Sequence, residues 1–211
     1  MAVINKDGKF YAVIYCKVAW YSTYQTIEEA EYKNFKHLQN PKAVGWESFN
    51  FKSHRGRVYG SILMPKLDNN QEVIGADVSS VDGINLKSIN ISRLESPEHH
   101  IRDGRIDGVT VIFFGKRSKH EKQVIIGWYK NATVYARPQT NKAWEQKIKD
   151  LQFHATTKDL NAHLLPEDDR TFKIKGDLRQ AVIWYGTDDF ALATLEYIQN
   201  VKCNRQVYEK F

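Results

Sequence analysis

Two apolar runs, Val109–Phe114 and Gln123–Trp128, flank the charged segment GKRSKHEK. Runs dominated by Val, Ile and Phe and bounded by glycine and charge favour β-strands, and a polar link of this length closes a hairpin. This hairpin is the most legible unit in the chain. Its apolar strands must be anchored in a sheet, and the rest of the sequence is read around it.

Further strands are predicted at Phe10–Cys16, 57–64, 84–94, Thr133–Arg137, 150–158, 171–175 and Gln180–Tyr185, from aromatic and β-branched content or alternation. Residues 95–106 read as a polar loop. A helix is predicted from Thr26, where Thr26 and Glu29 form a T-x-x-E capping box. Ile27, Ala30, Phe35 and Leu38 follow a helical stripe up to Asn40-Pro41. A short helix is predicted at 141–149. Thr187 caps a closing helix with Asp188 and Asp189 in its first turn and a stripe of Ala191, Leu195, Ile198 and Val201. About eight short strands with two or three helices make an α+β fold, with a strongly curved, barrel-like mixed sheet. A single domain over 1–211 is expected.

Composition narrows the class. The chain has 211 residues, 42% hydrophobic and 27% charged, ample for a real core. No run of apolar residues is long enough for a transmembrane helix, and MAVINKDGKF lacks the apolar stretch of a signal peptide. Cys16 and Cys203 form no metal or redox motif, so a reduced, cytoplasmic protein is expected. A net charge of +6 together with five Trp and eleven Tyr favours a polyanion whose bases can stack on aromatic faces.

Catalytic patterns are missing: there is no P-loop, G-x-S-x-G, H-E-x-x-H or GxGxxG. His99-His100 with Glu98 and Asp103 is a poor metal motif, since adjacent side chains on an extended strand point apart. The run PEDDR at Pro166–Arg170 reads as a turn. No cofactor, metal or catalytic residue is expected. The adjacent aromatic pairs Trp20-Tyr21, Trp128-Tyr129 and Trp184-Tyr185 are more telling. Successive strand side chains alternate, so one of each pair is expected to face outward or into a cleft. Cations cluster at Lys52, Arg55 and Arg57, at Lys116, Arg117 and Lys119 on the hairpin tip, and at Lys130. Each is a candidate phosphate contact.

The run VTVIFFGKRSKHEKQVIIGWYKNATVY resembles the central hairpin of EVE, PUA and YTH-like modules, in which a strand, a basic loop and a strand ending in glycine follow one another. IIGWYKNATVYARPQ, LLPEDDRTFKI and AVIWYG also resemble a domain that precedes HNH-type nucleases in modification-dependent restriction enzymes. The resemblance implies a module that flips a modified base of duplex DNA into an aromatic pocket, with RNA an open alternative. Flipping costs a few kcal/mol, and Trp and Tyr faces restore much of it. Candidate pocket residues are Trp20, Tyr21, Trp46, Asn50, Asp107, Trp128, Tyr129 and Asn131. Any cleavage would belong to another domain or subunit. Two other classes stay open: a metal-dependent nuclease using Asp107, Glu121 and Lys130, and a protein-assembly domain without a nucleic-acid role.

Overall fold

A computed structural model describes residues 3–24, 46–62, 88–140, 152–174 and 182–201. The helices predicted from Thr26 and at 141–149 lie outside these residues, as do residues 84–87 and 175–181. The described strands are β1 (Val3–Lys6), β2 (Lys9–Lys17), β3 (Arg57–Gly60), β4 (Ile101–Arg102), β5 (Arg105–Gly115), β6 (Val124–Thr140), β7 (Gln152–Lys158), β8 (Ala162–Leu164) and β9 (Ile183–Trp184). One α-helix, α1 (Asp188–Asn200), follows them.

The strands form one mixed sheet in the order β1-β2-β5-β6-β7-β3, with β4 beside β5, β8 beside β6 and β9 beside β2. Only the β2–β5 pair is parallel among the described strands. The described fold is therefore α+β and dominated by an open sheet.

Tight turns organise it. Asp7-Gly8 joins β1 to β2, and Asp103-Gly104 joins β4 to β5; all four residues have positive φ. That is the backbone demanded by a two-residue hairpin turn, and Asp-Gly is a favoured pair for it. The loop predicted at 95–106 therefore contains β4 and the start of β5. Arg55 and Gly56, also at positive φ, turn the chain back between His54 and Arg57.

The predicted hairpin is present as β5 and β6, but Thr133–Arg137 is no separate strand: it continues β6. Register shifts let the long strand bend without ending. Residues 91–94 form a 3-10 turn rather than the end of a strand. In that geometry residues three apart eclipse, which puts Ile91 and Leu94 together in the core. Of the strands predicted at 171–175 and 180–185, the first reduces to a bridge between Lys173 and Val124, and the second to Ile183–Trp184.

The centre of the sheet is buried on both faces. Ala12, Ile14 and Cys16 of β2 join Val111, Phe113 and Tyr129 in one apolar layer. Val13 and Tyr15 join Ile112, Phe114 and Trp128 in the other, which α1 covers with Phe190, Ala191, Leu195 and Ile198. The Tyr15 hydroxyl donates to Thr194 Oγ1 at 2.9 Å across that layer. Thr187 stands at the N-cap of α1, but its hydroxyl makes no capping bond; its carbonyl accepts from Ala191 N–H at 2.9 Å. No helix among the described residues is long and apolar enough to cross a membrane.

Candidate nucleic-acid interface

Two-sided burial overturns, for Trp128-Tyr129 and Trp20-Tyr21, the expectation that one of each aromatic pair faces outward; Trp184 and Tyr185 are both half-buried. Trp128 is 1% exposed and stacks on His163, ring centroids 4.5 Å apart. Burial and the Lys130 charge push the His163 imidazole below its ordinary pKa. Tyr129, on the opposite face, is fully buried and donates its hydroxyl to the Asn50 carbonyl. Trp20 and Tyr21 are buried as well. In this conformation none of the four offers a ring face to a ligand.

Trp20 and Tyr21 surround a structural arginine. Arg170, 5% exposed, donates to the carbonyls of Leu165, Tyr21 and Ser22 at 2.9–3.0 Å and lies 4.7 Å from the Trp20 ring centroid. Trp20 Nε1 donates to Glu167 Oε1 at 3.0 Å. The PEDDR run is thus a short turn that delivers a buried clamp.

Asn50 is a second clamp. Its Nδ2 donates to the Ser61 carbonyl at 3.2 Å and its Oδ1 accepts from Ser61 N–H at 2.9 Å. It follows the turn Trp46–Phe49, whose Trp46 side chain lies outside the described part. The same turn carries Glu47, 1% exposed, with no hydrogen-bond partner for either carboxyl oxygen among the described residues. Ser48 Oγ and Ser61 Oγ are also buried and have no hydrogen-bond partner among the described residues. Burial pushes the Glu47 carboxyl up to about 7, with the nearby amides of Glu47 and Ala19 tempering the rise.

Asp107, Asn131 and Arg57 do come together. They line one open cleft of about 430 Å³. Paired bulges build it. Between the β5–β6 pairs Ile106–Val134 and Val109–Ala132, Asp107 and Gly108 oppose Thr133 alone. Between Val109–Ala132 and Val111–Tyr129, Lys130 and Asn131 oppose Thr110 alone. Gly108 and Asn131 take positive φ, which Gly adopts freely and Asn more readily than most residues. Bulges re-aim side chains, and here they turn Asp107 and Asn131 into the cleft. Thr133 Oγ1 donates to Asp107 Oδ1 at 2.5 Å. No known protein family, curated protein or solved structure matches this chain.

The far wall of the cleft is cationic. Arg57 of β3 pairs in register with Lys158 of β7, and both line the cleft with Leu160 and Asn161. Arg57 Nε donates to Thr156 Oγ1 at 3.3 Å, and neither cation is ion-paired among the described residues. Like charges directly opposite one another destabilise a strand pair. An anion between them would relieve that repulsion.

The remaining candidate cations are dispersed. Arg55 is exposed on the turn before Arg57. Lys52 is half-buried, 5.9 Å from the Phe49 ring centroid. Lys116, Arg117 and Lys119 lie at the hairpin tip, where Lys116 Nζ donates to the Lys119 carbonyl at 3.3 Å. Asp107 and Gly115 are eight residues apart on β5, so tip and cleft are up to about 26 Å apart at the usual strand rise. Lys130 instead reaches α1, donating to the Ile198 carbonyl at 3.4 Å. Glu121, in the tip loop, is held a strand's length from Asp107, so the nuclease set does not converge. Lys158 ends a predicted strand and Leu160 and Asn161 follow it, but nothing local to them signals which face they meet.

Proposed function

We propose that this chain is a DNA-binding specificity module that reads a modified base of a duplex, as part of a modification-dependent restriction system. The observation that carries the reading is the in-register Arg57–Lys158 pair at the wall of a polar cleft. Two cations side by side, neither ion-paired among the described residues, suit one backbone phosphate or two successive ones. Asn131 and Asn161 offer amide donors and acceptors for a base edge, and Asp107 offers an acceptor for an amino group. The hairpin tip supplies a second cationic contact further along the duplex. The reading includes a strongly curved, barrel-like sheet of the EVE, PUA and YTH kind, a cytoplasmic location, and a nuclease in another domain or subunit.

The test is binding to unmodified, methylated, hydroxymethylated and glucosylated duplexes at two salt concentrations. The expected result is preference for one modified duplex. The doubly substituted R57A/K158A chain should bind more weakly, and its log–log salt slope should be shallower by about 2. Equal binding to all four duplexes would remove the modified-base reading. An unchanged salt slope in the double variant would remove the cleft as the phosphate contact.

A further inference from the structure

Leu160 is the one large hydrophobic side chain standing exposed among the described residues, at 65%. An isolated exposed leucine is ordinary on a protein surface. Its setting is what matters. It occupies the Asp159–Asn161 turn between β7 and β8 and lines the cleft beside Arg57 and Lys158.

The turn is held firmly. Asp159 N–H donates to the Gly56 carbonyl at 3.0 Å. The Asp159 carboxylate accepts from Ser53 Oγ at 2.9 Å and from Leu160 N–H at 2.7 Å. These bonds tie Leu160 to the segment that carries Arg55 and Arg57. The two nearby carboxylates, Asp107 and Asp159, both accept hydrogen bonds from neighbouring hydroxyls. A fixed apolar tip with cations beside it meets the physical requirements for entering a base step. The cations hold the phosphates, and the apolar side chain fills the space between separated bases.

We infer that Leu160 is a wedge that enters the DNA stack at the step facing the cleft and holds the displaced base unstacked. This rests on the reading of the cleft as a DNA contact. Wedge insertion spends binding energy on unstacking, and a duplex that already contains a gap needs none of it.

The experiment compares the full chain with L160A on duplexes carrying 2-aminopurine, intact or with an abasic site. The intact chain should raise 2-aminopurine fluorescence on binding. L160A should bind the intact duplex about tenfold more weakly and leave fluorescence unchanged, yet bind the abasic duplex as well as the parent does. Equal losses on both duplexes, or no loss on either, overturn the wedge while leaving the cleft as a DNA contact. Absence of salt-dependent binding by the parent chain to any duplex overturns both. Thermal denaturation of L160A should match the parent, because the side chain is 65% exposed and belongs to neither core layer among the described residues.

Discussion

Replacing Glu47 by Gln removes a buried carboxyl with little change of shape, and its effect on stability should depend steeply on pH. The folded-state value of about 7 stands above the ordinary 4.5. Each unit corresponds to about 1.4 kcal/mol, so the ionised carboxylate costs the fold on the order of 3 kcal/mol. At 1% exposure, water offers little relief. Between pH 4.5 and 7 the unfolded chain holds fewer protons at this site than the folded one. Stability from this group therefore falls as pH rises through that window. The penalty is absent below it and fully present above it. The replacement amide does not titrate, so E47Q should gain about 3 kcal/mol on the parent between pH 4 and pH 8. The amide's own unsatisfied donors shift the variant's absolute stability by a constant amount, which cancels from this difference. Urea denaturation of both chains at pH 4, 5, 6, 7 and 8 measures it. Parallel pH profiles would refute the reasoning, because they would mean that Glu47 is solvated or paired when the protein is folded.

Trp128, a candidate pocket residue, and Arg170 are both buried and give two further predictions. Trp128→Ala should lower unfolding free energy by about 3–5 kcal/mol in chemical denaturation, as expected for deleting a fully buried aromatic; a variant of parental stability would show that the ring is not a core element. Arg170→Ala removes the guanidinium hydrogen bonds to the Leu165, Tyr21 and Ser22 carbonyls. It should cost roughly 3 kcal/mol or more and quench or shift Trp fluorescence by releasing Trp20; unchanged stability would show that water replaces the guanidinium without penalty.

What can be read from the sequence is mostly local. The β5–β6 hairpin, the strand β2, the strand β7 and the helix α1 all carry apolar patterns or turn residues within a short window. Asp7-Gly8 and Asp103-Gly104 carry a local turn signal too, although the second lies in a stretch that reads as a polar loop. The runs VTVIFF and VIIGWY also hold a clue to two-sided burial, because they are continuous rather than alternating.

Arg57, Asp107 and Asn131 are recognisable as polar and cationic candidates, but nothing in their neighbourhoods joins them. The hairpin segment itself divides: its Trp128 and Tyr129 are core, while its bulged end at Asp107 and Asn131 borders the cleft. By itself the sequence determined the central hairpin, β2, β7 and α1, because those elements depend on backbone sterics and on burial within a few residues. Only the tertiary structure decided that both faces of the sheet's centre are covered, that Arg57 meets Lys158, and that Leu160 stands beside them. Strand register couples residues far apart in the chain, and no short window of sequence contains that pairing.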